Sequence, residues 1–295
     1  MGMFVRLADD FGGAVSPFQK SFFRNLVAMF VAGALFALKW REAARAPLPR
    51  GEAAFRGSGT PAASSFRGSG TPAASPWGPL VWRSILGTVG IFGNFYALSH
   101  IPLGDACMLN KLSPFSAVAC AWLFLGERVR MRQGLAIAGA FIGAMFVVKP
   151  GFAFASGSTW PALAGLVGGV AAGGAYACIR HLGRLGVEPS FIVLFFSAFS
   201  TIASLPFMIF GYQPMTPAQV AILLGAGISA TVGQFGITAA YRLARPRELA
   251  VYDYANVAFA AVLGFLVFGQ VPDAFSWLGI AMIVAMGVWM NRVAD

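Results

Sequence analysis

"TVGIFGNFYA" at residues 88–97 and "TVGQFGITAA" at residues 231–240 share the pattern T-V-G-x-F-G-x-x-x-A, 143 residues apart. Solenoid repeats recur every ~20–50 residues, so this spacing points to two long halves built alike. The correspondence runs on, because "LFLGE" (123–127) matches "LVFGQ" (266–270) at the same offset. It also reaches back to the start. "YACIRHLGRLGVEPSFIVLFFS" (176–197) resembles "GMFVRLADDFGGAVSPFQKSFFR" (2–24), with Arg180 opposite Arg6 and, after a one-residue gap, Phe195-Phe196 opposite Phe22-Phe23. The expected organisation is one copy over 1–149 and a second over 150–295.

The composition names the solvent. The chain has 295 residues, 58% hydrophobic and 11% charged, with a mean hydropathy of +0.72. Soluble domains carry about 25% charged residues. A soluble core has too little volume to hide this much apolar surface. The reading is an all-α integral membrane protein. Apolar segments near the ~20 residues needed to span fall at 18–38, 80–99, 103–125, 132–149, 160–181, 190–211, 218–241, 249–269 and 272–291.

Nine segments against two equal halves imply five helices plus five, with the first cut short. On the alignment Met1 falls at Ala175, so residues 160–174 have no counterpart in the first half. Either the natural start lies upstream or the protein works with half a helix, and the first is the expectation. In the ten-helix frame the segments 39–79, 126–132, 180–189, 242–248 and the C-terminus hold most of the arginines, while the opposite loops hold Asp9, Asp10, Asp105 and Asp273. This is the positive-inside bias, and it accounts for the net charge of +10 without nucleic acid. The loop after the first helix is acidic, whereas its repeat partner carries Arg180 and Arg184. The two halves therefore face opposite ways, with the C-terminus inside. "FRGSGTPAASS" (55–65) and "FRGSGTPAASP" (66–76) are a tandem copy within 40–79, read as a flexible cytoplasmic loop.

Inverted halves are a recurring plan of alternating-access carriers, with the site near the midplane between the repeats. Polar groups within spans are costly and are the first candidates. Arg24 lies in the second helix of the frame, Lys111 in the fourth, and Asp253 in the ninth. Around them stand Asn25, Asn94, Asn110, Gln234 and Asn256, with Tyr96, Tyr252 and Tyr254. Arg24 is near enough to a rim to snorkel to headgroups. Lys111 sits about 12 Å into its helix, too deep for that. Asp253 is open to two readings, a substrate or proton role and neutralisation of Arg245 or Arg247. Pro114, which frees a carbonyl beside Asn110 and Lys111, and Glu127 at the end of the same helix are gating candidates.

"PLGDACMLNKLSPFSAVACAWLFLGE" (102–127), its second copy "YDYANVAFAAVLGFLVFGQVPD" (252–273) and "FFRNL" (22–26) carry a family resemblance. The chain resembles the drug/metabolite transporter superfamily, specifically its EamA-type ten-helix carriers. The resemblance implies a first helix lining the central cavity, an arginine at the position of Arg24, and a glutamate at the cytoplasmic mouth, here Glu127. Gln270 departs from it, standing where the family has a second glutamate.

The expected function is secondary transport of a small metabolite, an amino acid or another zwitterionic or anionic solute. Arg24 and Lys111 against Asp253 leave the spans net positive, which favours such a solute. A polyspecific exporter of drugs and hydrophobic cations is the alternative. A membrane-embedded enzyme would need a nucleophile, a base and an orienter together. The two histidines stand apart and the carboxylates do not cluster. No G-x-x-x-x-G-K-[ST] is present. The three cysteines lie in apolar stretches without a C-x-x-C. No metal, cofactor or nucleic acid is expected. The partners are the lipid bilayer of the cell's inner membrane and a small-molecule substrate, and the chain works as monomer or homodimer.

Overall fold

The computed structural model describes residues 15–45, 75–101, 103–148, 159–268 and 273–293. The first-helix segment, most of the 40–79 loop and Gln270 lie outside the described residues. Among the described residues there are ten helical segments and no strand: α1 Pro17–Arg45, α2 Trp77–His100, α3 Leu103–Asn110, α4 Ser113–Leu125, α5 Met131–Val148, α6 Thr159–Arg184, α7 Pro189–Phe210, α8 Pro217–Leu243, α9 Pro246–Phe268 and α10 Ala274–Val293.

The described residues of the nine apolar segments are helical apart from the turn at Lys111–Leu112 and, at segment ends, Gly211 and Asp273, since only helices and closed barrels satisfy backbone polar groups in lipid. Among the described residues six spans are long and apolar enough to cross a bilayer, with Ala106–Leu125 counted as one through α3 and α4. The protein is a multi-pass membrane protein. Proline opens α1, α7, α8 and α9, where its missing N–H costs no helix bond. Gly126 ends α4 with φ +67°, a left-handed cap that favours glycine. α1 runs on to Arg45, into the stretch read as loop, because Lys39–Arg45 are good helix formers.

Helix ends keep the repeat. α2 and α8 end at His100 and Leu243, α4 and α9 end at Leu125 and Phe268, and α5 and α10 begin at Met131 and Ala274. Each pair is offset by the 143 residues that separate the two motifs.

The chain divides into two compact units that do not follow the halves. One contains the residues up to Ser84 with His181–Arg242, the other Ile85–Arg180 with Leu243 onward. In the first unit α1 packs along α7, its repeat counterpart. Phe18 stacks on Phe207 at 4.7 Å and Phe36 meets Phe191 at 5.4 Å. Arg83, 2% exposed, lies 3.9 Å from the Phe196 ring centre. In the second unit α5 packs along α10, again its counterpart, and α9 lies on α4, α5 and α10. Ala136, Ala140, Ala144, Val251, Tyr254 and Ile283 form its core. Small residues let the backbones close: a Cβ on Gly143 would sit 2.9 Å from the Gly279 carbonyl oxygen.

Candidate functional site

The expected site residues fall into two polar clusters, one inside each unit. In the first unit a layer of serines and amides separates α1 from α7. Asn25 donates to the Ser21 carbonyl at 2.9 Å and the Ser200 hydroxyl at 3.0 Å. Ser21 and Ser204 hydroxyls meet at 3.5 Å, and Ser204 donates to the Ser200 carbonyl at 2.7 Å. Arg24 stands beside this layer. Its Nη1 donates to Asn25 Oδ1 at 3.3 Å and its Nη2 to Gln234 Oε1 on α8 at 3.4 Å. The guanidinium is thus turned onto helix side chains by two neutral carboxamides. Gln234 is 8% exposed and its amide donates on to Thr238 at 3.4 Å.

The second cluster forms where the membrane helix of residues 103–125 breaks. α3 stops at Asn110, and Lys111–Leu112 form a turn before α4. Pro114 has no N–H for the Asn110 carbonyl, so the bonding tightens. The Lys111 N–H reaches both Cys107 O (3.1 Å) and Met108 O (3.0 Å), and Leu112 N–H reaches Leu109 O (3.2 Å). Lys111 Nζ donates to the main-chain carbonyl of Asp253 at 3.0 Å, and the Asp253 carboxylate is near enough to act on the ammonium electrostatically. The fully buried Tyr254 returns the contact, its hydroxyl donating to the Lys111 carbonyl at 3.0 Å. Lys111 and Tyr254 are 143 residues apart, so two repeat-equivalent positions bond to each other.

The remaining candidates spread around the second unit. Glu127, 8% exposed, accepts from Arg180 Nε at 3.1 Å and pins the end of α4 to α6. Pro114 is buried. Asn94 has its backbone against Gly168 of α6. Tyr96 is exposed with its ring on His100 at 4.2 Å, Tyr252 is exposed and donates to Asn291, and Asn256 is exposed. Arg247 Nε lies 3.8 Å from Glu248 Oε1.

Sequence reasoning missed the serine layer, Arg83 and the partner of Glu127. Ser197, Ser200, Thr201 and Ser204 recur at helical spacing on α7, all of them buried. That spacing was the available signal. At the loop before α7, burial alone would raise the Glu188 carboxyl. Hydrogen bonds from Lys39 and Ser190, with the charges of Lys39 and Arg242, outweigh it and hold the carboxyl below its ordinary range.

The fold recurs in a crystal structure that covers 99% of this chain and 93% of its own, with a TM-score of 0.75 at 19% identity. The chain is 33% identical over 214 residues to the pseudopaline exporter CntI of Pseudomonas aeruginosa, covering 72% of this chain and 74% of that one. It is 28% identical over 217 residues to a riboflavin transporter of Rhizobium johnstonii, covering 74% and 70%. The profile of the EamA-like transporter family matches residues 2–149 and again residues 159–292. With a two-repeat helical membrane fold and that double match, the chain belongs to the EamA-like transporter family.

Proposed function

We propose that this protein is a secondary transporter of a small zwitterionic or anionic metabolite, working by alternating access of two inverted repeats in the inner membrane with its C-terminus cytoplasmic. Lys111 carries the reading. An ammonium placed at a break in a membrane helix, tied to one backbone carbonyl at 3.0 Å, keeps further donors for a substrate carboxylate or phosphate. Arg24, held by neutral amides, adds a second cation within the spans. The names of the relatives, an exporter and vitamin transporters, support a metabolite as cargo.

The test is a thermal-shift screen of the purified protein against amino acids, small carboxylates, flavins and hydrophobic cations. A ligand that binds the folded state stabilises it by mass action, by about 2.7 kcal/mol at a hundredfold excess over Kd, and so raises the melting temperature. Zwitterions or anions are expected to stabilise the native chain and to lose that effect in Lys111→Ala. Stabilisation by bulky cations alone, abolished by Asp253→Asn, would put the cation exporter in its place.

A further inference from the structure

α5 and α10 are repeat counterparts, yet their N-termini carry opposite charges. The free N–H groups at a helix start are partly positive, so a carboxylate there is stabilising and a cation is not. α10 follows that rule. Asp273 stands just ahead of it and accepts from the Ser276 N–H at 2.9 Å. The equivalent position ahead of α5, 143 residues earlier, is Arg130. Arg128 stands two residues before it and Arg132 lies in the first turn, which holds no acidic residue. All three arginines are exposed, and among the described residues none of them makes an ion pair.

The turn they surround is rich in donors. Gln133 closes it: its Oε1 accepts from the Arg130 N–H at 3.1 Å, and its own N–H reaches the Arg130 carbonyl at 3.0 Å. Its Nε2 is then at the same turn, in a side chain with no exposed surface, and has no acceptor among the described residues. From α9, Arg247 donates to the Arg128 carbonyl. The Nε of Arg247 is buried without a hydrogen-bond acceptor, and Glu248 Oε1 stands off at 3.8 Å. The carboxylates nearest in the chain have other bonds. Glu127 accepts from Arg180 at 3.1 Å, and Glu248 from the Arg245 N–H at 3.3 Å. The positive-inside bias puts arginines in such a loop, but it explains neither their place at a helix start nor the buried amide donor. A bound anion accounts for both.

The surroundings select the anion. Leu123 and Phe124 at the end of α4, and Met131 and Leu135 at the start of α5, are large apolar side chains left exposed. The arginines thus stand at the rim of a lipid-facing surface, where headgroups lie. A phospholipid brings acyl chains to that surface along with its phosphate, whereas a free phosphate leaves it bare.

We propose that the turn at the start of α5, with Arg128, Arg130 and Arg132 around it, binds the phosphate of an anionic phospholipid headgroup. The test is the melting temperature of the full chain in neutral detergent, titrated with dioctanoyl phosphatidylglycerol, with phosphatidylcholine of the same acyl chains, or with inorganic phosphate. Phosphatidylglycerol is expected to stabilise the fold saturably, and the other two to leave it unchanged. Arg128→Gln and Arg130→Gln are each expected to weaken the apparent affinity by about fivefold. Arg41→Gln, exposed near the end of α1, is expected to leave it as it was. Arg130→Asp is the sharpest variant, because it gives α5 the cap that α10 has. It is expected to raise the melting temperature without lipid and to abolish the response to lipid. No response to phosphatidylglycerol, or an equal one to phosphatidylcholine, would overturn the proposal. Saturable stabilisation by inorganic phosphate would make the occupant a free anion. A phosphatidylglycerol response that survives Arg130→Asp, or that falls as far in Arg41→Gln, would replace the site with diffuse surface charge.

Discussion

Glu127 and Arg180 are a buried pair, with side chains 6% and 14% exposed and a 3.1 Å bond from Nε to the carboxylate. Removing one partner of such a pair strands the other charge and costs about 3–5 kcal/mol, whereas replacing both with apolar groups is often neutral. Arg180→Met is therefore expected to lower the melting temperature sharply, and Glu127→Leu/Arg180→Met to recover most of it. A double variant as unstable as the single one would mean that Arg180 acts through something other than Glu127. This contact was not legible in the sequence, because its residues are 53 positions apart on different helices. Asp253 teaches the same lesson. Arg245 and Arg247 are its neighbours along the chain, and Lys111, 142 residues away, donates to its main-chain carbonyl. Hydropathy locates a costly charge in a span, but only packing selects its partner.

The helices themselves were legible because every span must bond its own backbone, so apolar length alone marks them. The break at Lys111–Leu112 was half legible: Pro114 signals a lost bond, but not that Lys111 would fill the turn beside α9. The serine layer on α7 left its mark in spacing and not in hydropathy, since serines scattered among Phe, Ile and Leu barely lower the hydropathy of the span. Close backbone contact is equally invisible until a Cβ is tried. On Gly169 it would fall 2.4 Å from the Leu109 carbonyl oxygen, so Gly169→Ala is expected to push α6 from α3 and destabilise the fold. Gly233→Ala, with open space around it, is expected to be neutral or slightly stabilising. Thermal unfolding of the two variants checks this, and equal losses would contradict it. Lys39 and Glu188 tie the end of α1 to the loop before α7. The Glu188 carboxyl is held below its ordinary range, so its contribution is present above pH ~4.3 and is lost as pH falls through the depressed value. Glu188→Gln is expected to flatten the acid limb of the melting curve. An unchanged acid limb would show that Glu188 contributes nothing there.

At the scale of the molecule, duplication explains why helices pair as they do. α1 lies along α7 and α5 along α10, and Tyr254 bonds Lys111, each a contact between repeat counterparts. Self-contact of equivalent positions is the mark of a twofold relation between copies. The arginine distribution adds a direction to that relation. The loop after α4 carries Arg128 and Arg130, with Arg132 in the first turn of α5, whereas its counterpart before α10 carries Asp273. Under the positive-inside rule these equivalent loops are expected on opposite sides of the membrane. Met131 and Ala274, the first residues of α5 and α10, are both exposed and stand at equivalent positions. In a chain with Cys107, Cys120 and Cys178 replaced, Met131→Cys is expected to react with an impermeant thiol reagent only from the cytoplasmic face, and Ala274→Cys only from the other. Labelling of both from one side would make the repeats parallel. A parallel pair lacks the symmetry by which exchanging the conformations of two halves turns an inward-open carrier into an outward-open one. The mechanism proposed for this transporter therefore stands or falls on the orientation of its two copies.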